Sequence, residues 1–478
     1  MDNPNQHYPN PFDFVPFAEH PLTKKEADFD GMGELMSGYL EVQIKALTPV
    51  HVVGYQEHVE EGRYSAHYRQ NERACIPAAS IRGCLRSFVE ALTAGWVSQV
   101  TPEYEKEFRK RHLGYATFYR KQTHKLGPAI NTEYKPKATP DAILDVASYL
   151  FGLVLEKEKE GSASHEDLAR KSRVWIEDVY IPAGQMDKTR YWLPDISGEA
   201  FMGGAKPTAS NWWYMQPLKV WQRDTNINGQ IRPMAEFIGE KYWGRKFYFH
   251  QNPEQCVTYY EPRNRNWVYR DVNPFCKVVL ECLKPQAFTD TFRIYVDRVP
   301  RQLLILLILS LSPGKNIRHK LGYGKAYGFG SIEFLIKGAY LRPEDTANRI
   351  PLPLQNALND IEVWKAFAWD RDQLQKEQLD TLIDWRALQY LALILGWGNS
   401  ERLKFTYPPF KPGYFARGIS KNDFNQAVQS SYKLGQPISS PQEGVNIADK
   451  LFNTKKPIHF RLYQEKSNGW NLIRNRKP

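Results

Sequence analysis

One short segment combines closely spaced glycines with basic and aromatic residues. Residues 317–330 read IRHKLGYGKAYGFG. Such glycines let a backbone turn tightly and approach a ligand, with amides that can meet phosphate oxygens. Lysine and arginine attract phosphate, and aromatic rings can stack on bases. The pattern predicts a nucleic-acid-binding loop made of Arg318, Lys320, Gly322, Tyr323, Gly324, Lys325, Tyr327, Gly328, Phe329 and Gly330.

Two familiar phosphate-binding motifs do not describe this loop. It lacks the Gly-Lys-Ser/Thr ending of a P-loop, and it follows a helix and precedes a strand, the reverse of a dinucleotide-binding fingerprint. A tight helix-to-strand turn whose aromatic residues only pack is the competing interpretation. Spacing alone leaves both interpretations open.

A second segment, residues 76–86, reads IPAASIRGCLR and predicts the start of a helix reaching Leu92. Ser80 is the predicted N-cap. The first amides of a helix and its dipole favour an anion at that end. Arg82 and Arg86 are four residues apart and therefore share a face. The alternative is an ordinary amphipathic helix with two solvated arginines.

The composition agrees with a polyanionic partner. The formal net charge is +11, and 13% of residues are aromatic. Basic side chains that neutralise phosphates release counterions, and rings can stack on unpaired bases. A basic surface kept only for solubility is the alternative. The five cysteines form no CxxC pair and no zinc-type cluster with histidine, so no metal and no cofactor are predicted.

The N-terminal residues and the longest apolar run indicate where in the cell the protein would be found. The N-terminal residues are polar, without the basic-then-apolar pattern of a signal peptide. The longest nearly apolar run, 303–311, is about half the length that spans a bilayer. The sequence predicts a soluble cytoplasmic protein without membrane contact.

Periodicity gives a coarse order of elements. Strands are predicted at 38–47, 174–181, 277–284, 289–296 and 330–336, and helices at 80–92, 103–124, 141–153, 301–311, 355–368 and 379–395. The segment 53–74 is predicted to be a polar loop, and 197–272 an insertion of loops and short strands. The helix at 301–311 is apolar all round and is therefore predicted to be buried.

Together these segments resemble the RAMP superfamily of CRISPR–Cas proteins. Members carry a helix start similar to IPGSSLKGxLR, here IPAASIRGCLR, and a loop LGxGxxxGxG, here LGYGKAYGFG. The stretches LFG at 150–152 and SRVWIED at 172–178 are similar to another family pattern. The leader at 10–16, MGGAKP at 202–207 and GRKFYFH at 244–250 look like large, insertion-bearing backbone subunits of type III systems, particularly subtype III-D.

The resemblance implies an α+β fold with a ferredoxin-like or RRM-like core. The implied organisation is an irregular leader at 1–37, a RAMP domain at 38–340 with insertions around 97–140 and 197–272, and a partly helical C-terminal region at 341–478 without an assigned role. In such subunits the helix start and the loop hold guide RNA, so Ser80 is among the implied RNA-binding residues. Arg82, Arg86, Lys320 and Lys325 would supply affinity while base pairing reads sequence. The implied partners are guide (CRISPR) RNA, target RNA and other effector subunits of a hetero-oligomeric complex in antiviral defence.

Whether the chain cuts RNA is a separate question. Type III backbone subunits often cleave target RNA with a metal-binding Asp in the loop after the first strand. Here residues 51–73 contain no Asp but do contain Glu57, His58, Glu60, Glu61 and His67, which favours a scaffold over an endoribonuclease. Metal-independent guide processing by a histidine is a second alternative, with His51, His58, His67 and His319 as candidates. A stand-alone RNA-binding module outside CRISPR systems is a third. No catalytic residue is assigned.

Overall fold

The computed structural model of the chain describes residues 8–9, 12–59, 62–97, 132–134, 136, 143–154, 169–192, 215–227, 230–242, 244–251, 258–261, 266–269, 278–314, 316–344, 352–397, 462–466 and 469–473. The helix predicted at 103–124 lies outside these residues.

The first part of the chain contains one long strand, β4 (Leu35–Ala46), and several shorter strands and helices. Its elements are β1 (Tyr8–Pro9), β2 (Phe12–Val15), β3 (Thr23–Lys25), α1 (Glu26–Asp30), β4 (Leu35–Ala46), β5 (Val53–Val59), β6 (Gly62–His67), β7 (Arg69–Gln70), β8 (Arg73–Ile76), α2 (Ala78–Leu92), a 3₁₀ turn (Thr132–Tyr134), β9 (Ile143–Asp145), α3 (Val146–Phe151), β10 (Leu153–Val154), β11 (Ala169–Arg170), β12 (Val174–Ile176), β13 (Val179–Tyr180) and β14 (Met186–Trp192).

The second part supplies the remaining strands of the core and a helical end. Its elements are β15 (Met215–Ile227), β16 (Gln230–Tyr242), β17 (Arg245–Tyr248), β18 (Thr258–Glu261), β19 (Asn266–Tyr269), β20 (Val278–Leu283), β21 (Phe292–Pro300), α4 (Arg301–Leu311), β22 (His319–Lys320), a 3₁₀ turn (Lys325–Tyr327), β23 (Ser331–Pro343), β24 (Gln355–Asn356), α5 (Leu358–Ala366), α6 (Arg371–Lys376), a 3₁₀ turn (Asp380–Leu382), α7 (Trp385–Ile394), β25 (Leu462–Lys466) and β26 (Gly469–Ile473).

The central sheet has the strand order β12-β21-β4-β23-β22, with β24 added beside β23. Each of these pairs is antiparallel. Along the chain, β4, α2, β12, β21, α4 and β23 form a β-α-β-β-α-β unit, which is the ferredoxin-like arrangement. The predicted α+β fold with a ferredoxin-like core is therefore confirmed.

The core is built from the alternate apolar side chains of β4 and from α4, which is apolar on every side. Leu40, Val42 and Ile44 of β4 are fully buried, while the residues between them are partly exposed, as the two-residue period of a strand requires. Every residue of α4 from Leu303 to Leu311 is buried. The helix has the bounds that the sequence predicted.

A second sheet, β14-β20-β6-β5, corrects the prediction of a polar loop at 53–74. In it β6 pairs with β5 antiparallel and with β20 in parallel. The sequence hides these strands because the buried positions in β6 are polar: Ser65 and His67 are buried among hydrogen-bonding partners. A pattern search for apolar alternation cannot detect such a strand.

Several other predicted elements differ in length or division. The insertion predicted as loops and short strands contains β15 and β16, each 13 residues long and paired with one another. The strand predicted at 174–181 is two strands, β12 and β13, in different sheets. The helix predicted from 141 begins after β9, where the Asp145 carboxylate accepts a hydrogen bond from the Ser148 amide at 2.9 Å.

The leader and the C-terminal helices both pack onto the core. In the leader, predicted to be irregular, β2 pairs with β17 and β3 pairs with β9. Helix α7 packs against α2 and β2, and the Asp384 amide donates to the Leu92 carbonyl at 2.8 Å. Residues 352–397 therefore complete the core. No helix in the described part of the chain is long and apolar enough to cross a membrane.

We expect Leu307→Ala to lower the free energy of unfolding by about 2–5 kcal/mol, because it leaves a cavity in a fully buried helix. The matched control is Val363→Ala in α5, where the side chain is 61% exposed and the change should stay within about 0.5 kcal/mol. Urea unfolding of both variants measures the difference. Equal effects would mean that α4 is not a core helix.

Candidate nucleic-acid interface

A cleft of about 550 Å³ lies where the two sequence motifs meet. One wall is a side of α2, the second is the glycine-rich segment, and the third is β17, which neither motif contains. The described lining residues are Val52, Val53, Ala79, Ser80, Gly83, Cys84, Ser87, Phe88, Lys246, Phe247, Tyr248, His319, Lys320, Leu321, Gly322, Tyr323, Lys325 and Leu395. None of these described residues is Asp or Glu. The cleft is within the size range of ligand sites.

Helix α2 faces the cleft with small side chains. Ala79, Ser80, Gly83, Cys84 and Ser87 recur every three or four residues, which is one face of a helix. A Cβ added at Gly83 would meet no atom within 4 Å outside its chain neighbours and the backbone of its own helix. The fold itself therefore does not demand a glycine there, and a ligand could approach the helix backbone closely.

The start of α2 is capped differently from the prediction. Pro77 is the N-cap, and Ser80 lies in the first turn with its side chain on the cleft, so the predicted Ser80 cap is wrong. The Ala78 amide donates to the Asp178 carboxylate at 2.7 Å. The predicted anion position at this helix end is thus occupied by a carboxylate of the chain itself, and α2 offers the cleft its side.

Arg82 and Arg86 point away from the cleft. Arg82 donates to the Phe151 carbonyl, and Arg86 donates to the Gly152 carbonyl at 2.8 Å. Arg86 also pairs with Glu90 at 2.9 Å. The two cations satisfy carbonyls at the C-terminal end of α3, where positive charge is favourable. The structure gives both arginines this packing role, so the RNA contacts predicted for them do not belong to the cleft.

The glycines in the second wall are needed by the backbone. Gly322, Gly324, Gly328 and Gly330 all have positive φ. A Cβ at Gly322 would lie 2.3 Å from the His51 carbonyl oxygen, and one at Gly330 would lie 1.9 Å from that of Leu321. The amides of Tyr323, Tyr327, Gly328, Phe329 and Gly330 donate to protein carbonyls. These amides are therefore not available to phosphate as the sequence suggested, and the tight turn is confirmed.

The three aromatic residues of this segment divide between core and cleft. Tyr327 and Phe329 are 4% and 2% exposed and pack with Leu280 and Cys282. Stacking on bases requires an open ring face, so that prediction is wrong for these two. Tyr323 is partly exposed and lines the cleft. It is the ring of the segment that a ligand could reach.

The lysines of the cleft are partly or largely withdrawn from water. Lys320 is buried, and its ammonium donates to the Phe329 carbonyl at 3.0 Å. Burial lowers the pKa of Lys325 and lowers that of Lys246 to about 8, since a low-polarity surrounding disfavours the charged form. Neither motif contains Lys246; the signal in the sequence is the basic-aromatic run RKFY in which it lies.

Arg318 lies outside the cleft, and His319 borders it only as a buried side chain. Arg318 pairs with Glu333 at 2.9 Å and lines a separate, smaller cavity. His319 touches the floor of the cleft but is buried between Phe88 and Phe334, and burial lowers its pKa to about 4. The histidine is neutral at pH 7 and holds the Ser310 carbonyl at 2.8 Å.

The candidate catalytic residues lie in or beside the second sheet. His51 and His67 are buried, and burial lowers the pKa of both, that of His67 to about 3. Both are closed to solvent, whereas His319 borders the cleft but donates through Nε2 to the Ser310 carbonyl. Glu57 is exposed on β5, whereas Glu60, Glu61 and the His58 side chain lie outside the described residues. No metal-binding group of three His, Cys, Asp or Glu occurs among the residues described.

The sequence profile of the RAMP superfamily matches residues 43–333, which is more than half of the chain. The chain belongs to the RAMP superfamily. The match begins near the end of β4 and ends at the start of β23, so it contains α2, β12, β21 and α4 of the ferredoxin-like core and all three walls of the cleft. Every segment that lines the cleft, apart from Leu395, is thus part of the RAMP region.

Two solved structures are distantly similar to this RAMP protein. A chain of a "Type IV-B CRISPR Complex" is 13% identical with a TM-score of 0.25, covering 66% of this chain and 94% of that one. Csc2 of Thermofilum pendens is 10% identical with a TM-score of 0.26, covering 76% and 86%. Similarity at this level carries no argument about function. No curated protein sequence matches the chain.

The two glycines of the cleft should respond oppositely to alanine. Gly83→Ala should leave the free energy of unfolding unchanged or raise it by up to about 1 kcal/mol, because alanine is the better helix former and space is open. Gly322→Ala should destabilise the protein, because its φ is positive and its Cβ would strike the His51 carbonyl. Thermal unfolding of both variants checks this; a destabilised Gly83→Ala would show that the α2 wall is packed by protein.

Proposed function

We propose that the chain is a guide-RNA-binding backbone subunit of a type III, RNA-targeting CRISPR effector complex. The observation that carries the proposal is the cleft between α2 and the glycine-rich segment, lined by lysines and, among the described residues, by no carboxylate. Membership of the RAMP superfamily supports it.

The charge of the cleft favours a polyanion over a neutral ligand. Lys246 and Lys325 lose hydration there, and burial disfavours the charged form of both side chains. A phosphodiester backbone would favour the charged form of these lysines and would release counterions on binding. The open helix backbone at Gly83 and the reachable ring of Tyr323 allow a strand of RNA to approach closely.

The contacts available in the cleft fit binding without sequence readout. Ammonium groups, hydroxyls and an aromatic ring recognise phosphate, sugar and the face of any base. Sequence would then be read by pairing between guide and target RNA. Such a division of labour is what a backbone subunit requires, since it must accept every guide.

Target cleavage remains the second candidate, because Glu57 is exposed and lies in the part of the chain where type III backbone subunits carry their metal ligand. Guide processing by His51, His67 or His319 is disfavoured by their burial.

Replacing one cleft lysine should change the salt dependence of binding. Lys325→Ala should reduce the slope of log affinity for single-stranded RNA against log salt by about 0.7, the amount expected for one lost phosphate contact. Lys325→Arg, which keeps the charge, is the matched control and should retain the slope. Fluorescence anisotropy at several salt concentrations measures it. A slope unchanged in Lys325→Ala would remove this lysine from the RNA path.

The function itself is tested by purifying the chain with the other products of its genomic locus and sequencing the RNA that accompanies it. We expect short guide RNAs derived from CRISPR repeats. Incubation with matching target RNA and Mg²⁺ then separates the two candidates. An uncut target supports the scaffold, whereas cuts that disappear in Glu57→Ala would identify a nuclease, and the absence of bound guide RNA would contradict the CRISPR assignment.

A further inference from the structure

We propose that β17, held in place by the leader strand β2, forms the third wall of the RNA cleft and that Lys246 contacts phosphate there. The proposal rests on the proposed function, which it extends to residues outside both sequence motifs. It makes the N-terminal leader part of the binding machinery.

The leader positions Lys246 through an aromatic cluster. Strands β2 and β17 are paired antiparallel with Tyr248 opposite Phe12 and Lys246 opposite Phe14. The Lys246 ammonium lies 3.9 Å from the centroid of the Phe12 ring and 4.8 Å from that of Tyr248. Phe12 and Phe14 are themselves buried. A lysine over aromatic faces loses side-chain freedom, so the cation is held beside the cleft before any ligand arrives.

Both ends of the β17 segment are tied to the other two walls. At its start, Arg245 donates to the Gly95 and Trp96 carbonyls just beyond α2 and lies 3.7 Å from the Glu90 carboxylate. Beyond its end, Gln251 donates to the Ala326 carbonyl of the glycine-rich segment at 2.6 Å. His250 bridges the Arg318 carbonyl and the Ser331 hydroxyl at 3.1 and 2.9 Å. The segment therefore fixes the width of the cleft as well as supplying a cation to it.

The roles of the His250 nitrogens follow from their partners. The Arg318 carbonyl can only accept, so Nε2 donates and Nδ1 accepts from the Ser331 hydroxyl. Burial keeps the pKa of His250 well below its usual value. The neutral His250 ring thus supports the glycine-rich segment through two hydrogen bonds. The cationic side chain of β17 that lines the cleft is Lys246.

The test measures binding of a fluorescent single-stranded oligoadenylate RNA to the full chain at several salt concentrations. We expect Lys246→Ala to weaken binding about three- to tenfold, as for loss of one charge-assisted contact, and to reduce the salt slope by about 0.7. Lys337→Ala is the matched control, because Lys337 is exposed in β23 and does not line the cleft. Thermal unfolding confirms that each variant is folded.

The outcomes separate this inference from the proposed function. If the wild-type chain binds RNA and Lys246→Ala behaves like Lys337→Ala, the third wall is wrong while the RNA-binding function stands. If the wild-type chain does not bind the RNA at all, the proposed function is wrong and this inference falls with it.

A leader variant tests the positioning of Lys246. Phe12→Leu keeps β2 apolar but removes the ring beneath the ammonium, so binding should weaken while the salt slope is retained. Combined with Lys246→Ala, it should cause little further loss, because both changes act through the same contact. Fully additive losses would show that the leader acts independently of Lys246.

The pH dependence of RNA affinity distinguishes a phosphate contact by Lys246 from a purely structural role of this residue. The pKa of Lys246 is lowered to about 8, so the protonated form that binds phosphate is lost as pH rises from 7 to 9, and affinity should fall. Lys246→Arg stays charged, so its affinity should depend less on pH. A pH profile identical to that of the wild type would contradict the phosphate contact.

Other titratable groups that face Lys246 across the cleft or beside it are Cys84, Tyr248, His319, Lys320, Tyr323 and Lys325. The lowered pKa of Lys325 leaves a residual pH dependence.

Discussion

Strand β4 organises the molecule because it is hydrogen-bonded along both edges. On one side it pairs with β21 and on the other with β23. Its period-two alternation turns Leu40, Val42 and Ile44 toward the helical layer, where they are fully buried. A shift of one residue in either pairing would turn these side chains to the opposite face. The positions of α2 and of the glycine-rich segment that leads from α4 into β23 follow from this register.

A polar network joins β20 and β6 of the second sheet to β7. Arg69 makes a bidentate pair with Glu281 at 2.8 and 2.5 Å, and Glu281 also accepts from the His67 amide at 2.9 Å. Arg69 is partly exposed and Glu281 is buried, so removing Arg69 would leave the buried carboxylate without this partner. The network also reaches the cleft, since the Glu281 carbonyl holds His51, whose own carbonyl accepts from the Tyr323 amide. Polar residues in this sheet thus support the wall of the cleft that contains Tyr323.

The cleft carries a cost that a ligand can offset. Its lysines are partly withdrawn from water, and no carboxylate is present among its described lining residues. A glycine at position 83 also weakens α2 relative to alanine without any packing need. Features that lower the stability of the empty protein but favour an anion are typical of binding sites. A bound polyanion would then stabilise the folded chain by mass action.

The sequence by itself determined the elements with a strong local pattern. The alternation in β4, the apolar helix α4 and the glycines at the tight turn each follow from one stretch of chain. Only the tertiary structure decided where individual side chains point. Arg82 and Arg86 share a predicted face of α2, yet both donate hydrogen bonds to carbonyls at the end of α3, which packs on that face. Tyr327 and Phe329 are covered by residues of β20. Lys246 enters the cleft because β2, more than 200 residues earlier, pairs with its strand. Local periodicity fixes which residues share a face, but the element that covers the face is chosen by packing between distant parts of the chain.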